Sequence, residues 1–464
     1  MKTNVQNIIE TAFELHKQGK LDEAQKLYLQ ILNKNPNDLN ALNLLGMLKT
    51  QKKDFESAIY YLEKACKLTE DYFDIFFNLA LAYKNNGQIE KAIQNYEKAL
   101  SIEPKNPDAC FNIANIYEKQ NNTQKALEYY QKAYENNIDY DGIHYFLGVG
   151  HLKLKNFKEG WKFYEGRPSK KFAITSQELV YPKIMKTKPI WNGTAMPDQT
   201  LFVYYDSALG DTIMFARYLP MLTKMFKKVL FKPQQCFIDL FKENNLGTEI
   251  VDNKTLPDDL EFDTHIPIMS IPYILQLNEE RDIPFWEGYF KANTKKVQDY
   301  KQRFFGNDKI KIGIKWMGNP YYDKERIIPI SCFYKLFKLK NTQFYSLQKG
   351  EGIEELQKIP SEYNLINLGD TFEDFTDTEA AIENLDLIIC NDTSVAHLAG
   401  AMGKATWVLL PFVQNWRWHN DLTYSPWYES VKLFKQSQPD NWDEVFEEVY
   451  DRLLIKHNKS AGFK

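Results

Sequence analysis

The sequence predicts an α plus α/β chain: an α-helical solenoid in front, then two α/β lobes, each wound around a parallel sheet. Three observations predict it. Small residues recur every 34 positions through the first third of the chain. Beyond them the hydrophobic period changes to short apolar runs at strand–helix–strand distances. Finally, 464 residues are too many for one core when a domain takes about 150.

The solenoid comes first in order. Ala24, Ala58, Ala92 and Ala126 lie on the 34-residue lattice, and Gly160 continues it. A second lattice runs in phase: Leu45, Leu79, Ile113 and Leu147, each followed by a small residue (Gly46, Ala80, Ala114, Gly148). Tyr83 and Tyr117, then Tyr96 with Ala99 and Tyr130 with Ala133, fill the middle repeats, while Pro36 and Pro104 stop helices at matching phase. This is the pattern of the tetratricopeptide repeat, in which small residues let paired helices approach and each pair stacks on the next. The prediction is a superhelix over residues 1–165. Its surface suits a protein partner, with Asn78 and Asn112 on the first helices of their repeats as candidate holders of a partner's backbone. A spacer or dimerisation element is the competing use.

A Lys/Pro-rich stretch, Tyr181 to Pro197, reads as part of a connector over 166–197. The first α/β lobe is expected over 198–305. There Leu201–Tyr205 is a strand, Asp206–Gly210 a turn and Thr212–Phe226 a helix, and Lys228–Phe231 and Glu249–Val251 repeat the strand signal. The second lobe is expected over 306–440, with strands at Lys309–Trp316, Gln343–Leu347, Asn364–Asn367, Leu385–Cys390 and Ala405–Leu410. A last helix within 441–464 is expected to pack back on the first lobe.

Composition narrows the function classes. A net charge of −4 and a pI near 6.1 supply no field that would gather nucleic acid or anionic membrane. Cys66, Cys110, Cys236, Cys332 and Cys390 have no Cys-x-x-Cys spacing for zinc and read as reduced core residues. The first residues lead into an amphipathic helix with no signal-peptide core, and no apolar run reaches the eighteen or so residues of a membrane span. A cytoplasmic protein is the expectation.

The chemistry concentrates where strands end. Leu385–Cys390 feeds Asn391-Asp392-Thr393-Ser394 and then an apolar helix carrying His397. A strand's carboxyl end running into a helix amino end is where open α/β sheets bind ligands, and its free N–H groups suit a phosphate. An ordinary N-cap is the competing reading. At the first lobe's matching turn, Gly210 and Asp211 face the cleft, and Asp211 is the candidate general base, since a partly desolvated carboxylate gains the raised pKa such work needs. Asn319 follows the second lobe's first strand. Lys324, Arg326 and Lys349 offer cations for a leaving diphosphate, Arg326 foremost, and Gln348 is placed to hydrogen-bond a base or ribose. No metal-ligating cluster emerges.

Asp392-Thr393-Ser394-Val395-Ala396-His397-Leu398-Ala399-Gly400-Ala401 resembles the signature of the heptosyltransferase-like glycosyltransferases of family 9, which adopt the GT-B fold of paired Rossmann-like domains. The resemblance continues through Trp407–Pro411, Asn415–Trp418, Ser425–Tyr428, the Leu209-Gly210-Asp211 turn and Phe215–Tyr218. With the repeats in front, the whole is similar to bacterial tetratricopeptide-repeat glycosyltransferases, flagellin-modifying ones among them. The resemblance implies inverting, metal-independent transfer from a nucleotide-diphosphate sugar, a co-substrate rather than a cofactor, to an acceptor hydroxyl, on a protein presented by the repeats. It makes Asp211 the base, Arg326 the diphosphate-side cation, and Asp392, Thr393, Ser394 and His397 the donor loop. Where such relatives read Gly-Leu-Gly-Asp this chain has Ala208, whose β-carbon narrows the acceptor side. Two alternatives stand beside this reading: transfer to a glycan or lipid-linked saccharide, and a non-catalytic scaffold whose transferase half has decayed.

Overall fold

The computed structural model describes residues 2–140, 142–169, 188–252, 260–321, 324–420 and 423–461. The chain forms two compact units, Met1–Ile143 and His144–Lys464. Most of the expected connector, 170–187, lies outside the described residues.

The first unit holds four helical hairpins: α1 (Lys2–Lys17) with α2 (Leu21–Lys34), α3 (Leu39–Gln51) with α4 (Phe55–Cys66), α5 (Phe73–Asn85) with α6 (Ile89–Ile102), and α7 (Pro107–Lys119) with α8 (Thr123–Asn136). Side chains fix the starts. Asp38 accepts from Ala41 N at 3.0 Å, Asn106 from Ala109 N at 3.1 Å and Asn122 from Lys125 N at 3.2 Å, and Pro107 takes the first turn of α7, where a missing N–H costs nothing. Ala24, Ala58, Ala92 and Ala126 are buried on α2, α4, α6 and α8, so the lattice marks where paired helices touch. At Gly46 on α3 a β-carbon would fall 2.4 Å from Leu62 of α4, which is why that position carries no side chain.

The fifth hairpin departs from the expectation. α9 (Ile143–Lys153) and α10 (Phe157–Tyr164) keep the repeat's phase but fold into the second unit. The reason is an aromatic stripe at helical spacing on α10. Trp161 meets Phe215, Trp416 and Trp427 at ring-centroid distances of 5.9, 5.6 and 6.3 Å, and Tyr164 meets Trp416 at 5.5 Å. Edge-to-face packing of this kind binds α10 to the α/β core.

The two lobes hold separate, wholly parallel sheets. The first contains β1 (Met196–Tyr204), β2 (Phe226–Lys232), β3 (Glu249–Ile250) and β4 (Thr264–Pro267) in the order β3-β2-β1-β4. The second contains β5 (Ile310–Lys315), β6 (Thr342–Ser346), β7 (Leu365–Asn367), β8 (Leu387–Asn391), β9 (Thr406–Leu410) and β10 (Val431–Lys435) in the order β7-β6-β5-β8-β9-β10. In both, the lobe's first strand lies beside its fourth, so the winding reverses there and a crevice opens at the strands' carboxyl ends. The sequence reading did not contain β4 and β10.

Helices join the lobes. α11 (Leu209–Ala216) of the first packs on α15 (Ser394–Ala401) of the second, and α12 (Ile238–Asn244) packs on α14 (Phe375–Glu383). α13 (Thr294–Phe304), which comes between them in the chain, also packs on α14. The last helix, α16 (Trp442–Ala461), corrects the expectation that it returns to the first lobe. Trp442, Val445, Phe446, Val449 and Leu453 share a core with Ile312, Ile314 and Phe333 of the second lobe, Phe446 lies 4.8 Å from Phe333 ring to ring, and Glu447 pairs with Lys335. Its apolar face packs against β10 and residues 330–333 of the second lobe.

Candidate functional site

A cavity of about 790 Å³ opens where the carboxyl ends of the two sheets face each other. The N-cap and first turn of α11 give it Ala208, Gly210 and Asp211; the end of β5 and the loop after it give Lys315, Met317 and Asn319; the turn from β8 into α15 gives Asp392, Thr393 and Ser394. Arg326, Lys349, Glu351, Thr378, His397 and Arg417 add to its polar lining, and Phe372–Phe375 close one side. The structure therefore gathers Asp211, Asn319, Arg326, Lys349, Asp392, Thr393, Ser394 and His397 around one space. Tyr321–Arg326 spans two residues, 322 and 323, outside the described ones.

Two acid–cation pairs organise this space. Arg417 grips Asp211, with Nε donating to Oδ1 at 2.6 Å and the terminal nitrogen reaching the same oxygen, while the Ser207 hydroxyl donates to Oδ2 at 2.5 Å. On the opposite wall Arg326 pairs with Asp392 at 3.1 Å. Burial drives the Asp392 carboxyl upward, but the Arg326 guanidinium, with His397 and Arg417 beyond, holds it below the usual carboxylate range. Asn391 Nδ2 donates to the Arg326 carbonyl at 2.9 Å, tying the arginine's loop to the end of β8.

His397 is buried one turn into α15. Its Nδ1 lies 3.1 Å from the Tyr428 hydroxyl, its ring stacks on Trp418 at 5.2 Å, and Nε2 stands 3.8 Å from Asp392. Burial pushes its pKa down to about 4, against the pull of Asp392, so the ring is neutral near pH 7. Gly210 fits against this ring: a β-carbon there would lie 2.6 Å from His397 Cδ2, so the glycine permits the approach of α11 to α15. Thr393 is the N-cap of α15 in extended conformation, yet its side chain caps no N–H of the first turn; Ala396 N donates to the Thr393 carbonyl at 3.0 Å, and the N–H groups of Ser394 and Val395 are left for another acceptor.

Gln348 is the correction. Its Oε1 accepts from Trp316 N at 3.3 Å and Met317 N at 3.1 Å, and its Nε2 donates to Met317 O at 3.0 Å and to Glu351 O at 2.5 Å. The amide is spent bracing the β5 and β6 ends and is not among the residues lining the cavity. Lys349 donates to the Phe372 carbonyl. In the first unit, Asn78 donates to Asn43 at 2.9 Å, and Asn112 accepts from Lys84 at 2.7 Å while donating to Asp108 O at 2.9 Å. Both amides link successive first helices of the repeats. Sequence reasoning missed the roles of Arg417, Ser207 and Lys315. An arginine set between Trp416 and Trp418 was the available signal for the first.

The lobes also meet at Glu379 of α14, which accepts from Asn244 Nδ2 of α12 at 2.9 Å through Oε1. Burial pushes its carboxyl up to about 8. The folded protein thus holds this proton where the unfolded chain releases it, and the stability so contributed is complete below about pH 4.5 and lost as pH rises toward 8. Glu379→Gln should accordingly gain stability over wild type as pH rises, by about 2–3 kcal/mol between about pH 5 and about pH 7, read from urea midpoints at the two values. The buried histidines His397 and His419, both lowered to about 4 by burial, act in the opposite sense but are common to both proteins. Equal midpoint changes in the two would refute the assignment.

Family models place the repeats directly: TPR repeat over residues 48–87 and 84–121, and tetratricopeptide repeat over 107–140. The N-terminal unit is built of tetratricopeptide repeats. Among curated proteins the chain is similar to protein FlbA of Caulobacter vibrioides, 23% identical over 329 residues, which are 65% of this chain and 53% of FlbA. The chain thus spans about half the length of the curated relative it matches. Solved structures similar to it include MamA (19% identity, TM-score 0.33, 37% of this chain and 97% of that one). YrrB, a TPR protein with an unusual peptide-binding site, is another (18%, TM-score 0.31, 37% and 90%). Among the described residues no helix is long and apolar enough to cross a membrane.

Proposed function

We propose that this protein is an inverting glycosyltransferase of GT-B type that moves a sugar from a nucleotide-diphosphate donor to a hydroxyl of a polypeptide captured by the tetratricopeptide repeats. The observation that supports it most is the cavity itself: two facing crevices of parallel sheets, a helix amino end uncapped at Thr393, and a base candidate on the opposite lobe. In this reading the acceptor hydroxyl gives its proton to Asp211 as its oxygen attacks the anomeric carbon. The bond from that carbon to the phosphate oxygen breaks, and the electron pair leaves with the diphosphate. Arg417 donates twice to Oδ1 of Asp211 and Ser207 once to Oδ2, so Oδ2 keeps a lone pair for the proton. Arg326 and the first turn of α15 face the departing charge, where fixed donors act most strongly.

The engagement of both Asp211 oxygens favours the second reading, a scaffold that binds through its repeats and no longer transfers sugar. Calorimetric titration of the full chain with UDP, GDP, ADP and dTDP and their sugars separates the two. Binding of one of them, weakened roughly tenfold or more by Asp392→Ala because Arg326 then loses its partner, supports the transferase. A chain that binds none of them and is indifferent to Asp392→Ala is the scaffold. A mass increase on a co-expressed polypeptide, absent with the variant, would identify the acceptor as protein.

A further inference from the structure

Lys315 is the last residue of β5 and is only 8% exposed. The other cations lining the cavity are occupied: Arg326 with Asp392, Arg417 with Asp211, Lys349 with the Phe372 carbonyl. Lys315 has neither a carboxylate nor a hydrogen-bond acceptor among the described residues, and it faces the cavity. Burial pushes its ammonium down to about 8, a measure of what the missing partner costs. Lysines are rarely buried without a partner, because removing an ammonium from water is expensive. A protein keeps such a group where a ligand supplies the counter-charge.

Its place in the sheet says which ligand. Lys315 stands in register with Cys390 on β8, so it lies at the reversal of strand order and beside the strand that runs on, three residues later, into Thr393. The crevice at that reversal is where a nucleotide's phosphates sit in doubly wound sheets. An uncapped helix turn and a buried, unmatched ammonium on adjacent strands are two independent features asking for the same thing, an oxyanion. We infer that Lys315 binds a phosphate of the nucleotide donor, acting with the first turn of α15. This rests on the transferase reading above and adds the residue that recognises the diphosphate.

The test titrates full-length wild type, Lys315→Met and Lys311→Met with inorganic pyrophosphate and with UDP, GDP, ADP and dTDP, and records the melting midpoint of each protein. Lys311 lies on the same strand outside the cavity, donating to the Lys309 carbonyl, and serves as the charge control. Wild type and Lys311→Met are expected to bind pyrophosphate and a nucleoside diphosphate equally. Lys315→Met is expected to lose roughly 10- to 100-fold in affinity for both, as the loss of a hydrogen bond to a charged group implies. It should also melt at or above wild type, since a buried charge has been replaced by an apolar chain. Unchanged affinity in Lys315→Met overturns the inference while leaving the transferase reading intact. Weakened affinity together with a lower melting midpoint overturns it as well, because the lysine would then be structural. If wild type binds neither pyrophosphate nor any of the nucleotides, the inference and the reading beneath it fall together.

Discussion

Asp211→Asn is expected to slow sugar transfer by about 10²- to 10⁴-fold, the range a positioned general base contributes, with donor affinity changed by less than about threefold. The substitution keeps the shape of the side chain and its place on α11, and keeps an oxygen for Arg417, but removes the proton acceptor. A group that works only on the acceptor hydroxyl should depress kcat and leave the donor KM alone, whereas a wall residue would move both. The measurement is initial rate against donor concentration, using whichever nucleotide sugar the titrations select, together with the melting midpoint. Ser207→Ala should show a smaller loss with the same signature, because the serine orients Oδ2 at 2.5 Å without taking the proton. Full turnover by the Asn variant would move the role to another lining carboxylate, with Glu373 and Asp374 the nearest in chemistry.

The repeats and the alternation of strand and helix were legible because each rests on a period, and periods survive without knowledge of neighbours. The strands from 342 to 410 fall within a residue or two of their expected places for this reason. What stayed illegible depends on which surface each element finds. Gly160 continues the 34-residue lattice, so α10 reads as one more repeat, yet Trp161 and Tyr164 turn it toward the α/β core. The last helix offers an apolar face to either lobe, and only the open side of the second sheet decides between them. β4 is four residues long with His265 and Pro267, too short and too polar to announce a strand. Gln348 has the right chemistry for a ligand and is consumed by backbone. Lys315 fails in the other direction. Nothing in the alternation Ile310-Lys311-Ile312-Gly313-Ile314-Lys315 sets its last lysine apart, but helices cover both faces of a parallel sheet, and that lysine is buried where it lines the cavity.

Arg167→Ala is expected to destabilise the C-terminal unit by about 3–5 kcal/mol, the cost of breaking a buried ion pair by removing one partner. Arg167 and Asp206 have side chains with 0% exposure. The guanidinium donates to Asp206 Oδ2 through Nε at 2.8 Å, to Ser270 Oγ at 2.9 Å, to Glu165 at 3.0 Å and to the Tyr164 carbonyl at 3.3 Å. It therefore joins the end of α10 to the turn after β1 and the turn after β4, and those turns set the direction of the chain toward Asp211. Burial already drives the Asp206 carboxyl above its ordinary range, with Arg167 pulling it back only in part. Without the arginine the folded protein would hold that proton to still higher pH than the unfolded chain does, so the variant's penalty should grow as pH rises. All nine tryptophans, the first being Trp161, lie in the C-terminal unit, so tryptophan fluorescence in a urea titration follows this unit apart from the repeats. The double variant Arg167→Met with Asp206→Leu should recover most of the loss, because neither charge is then left buried and alone. A single variant within about 1 kcal/mol of wild type, or a double variant less stable than the single, would show that the pair does not carry the junction of α10 with the sheet.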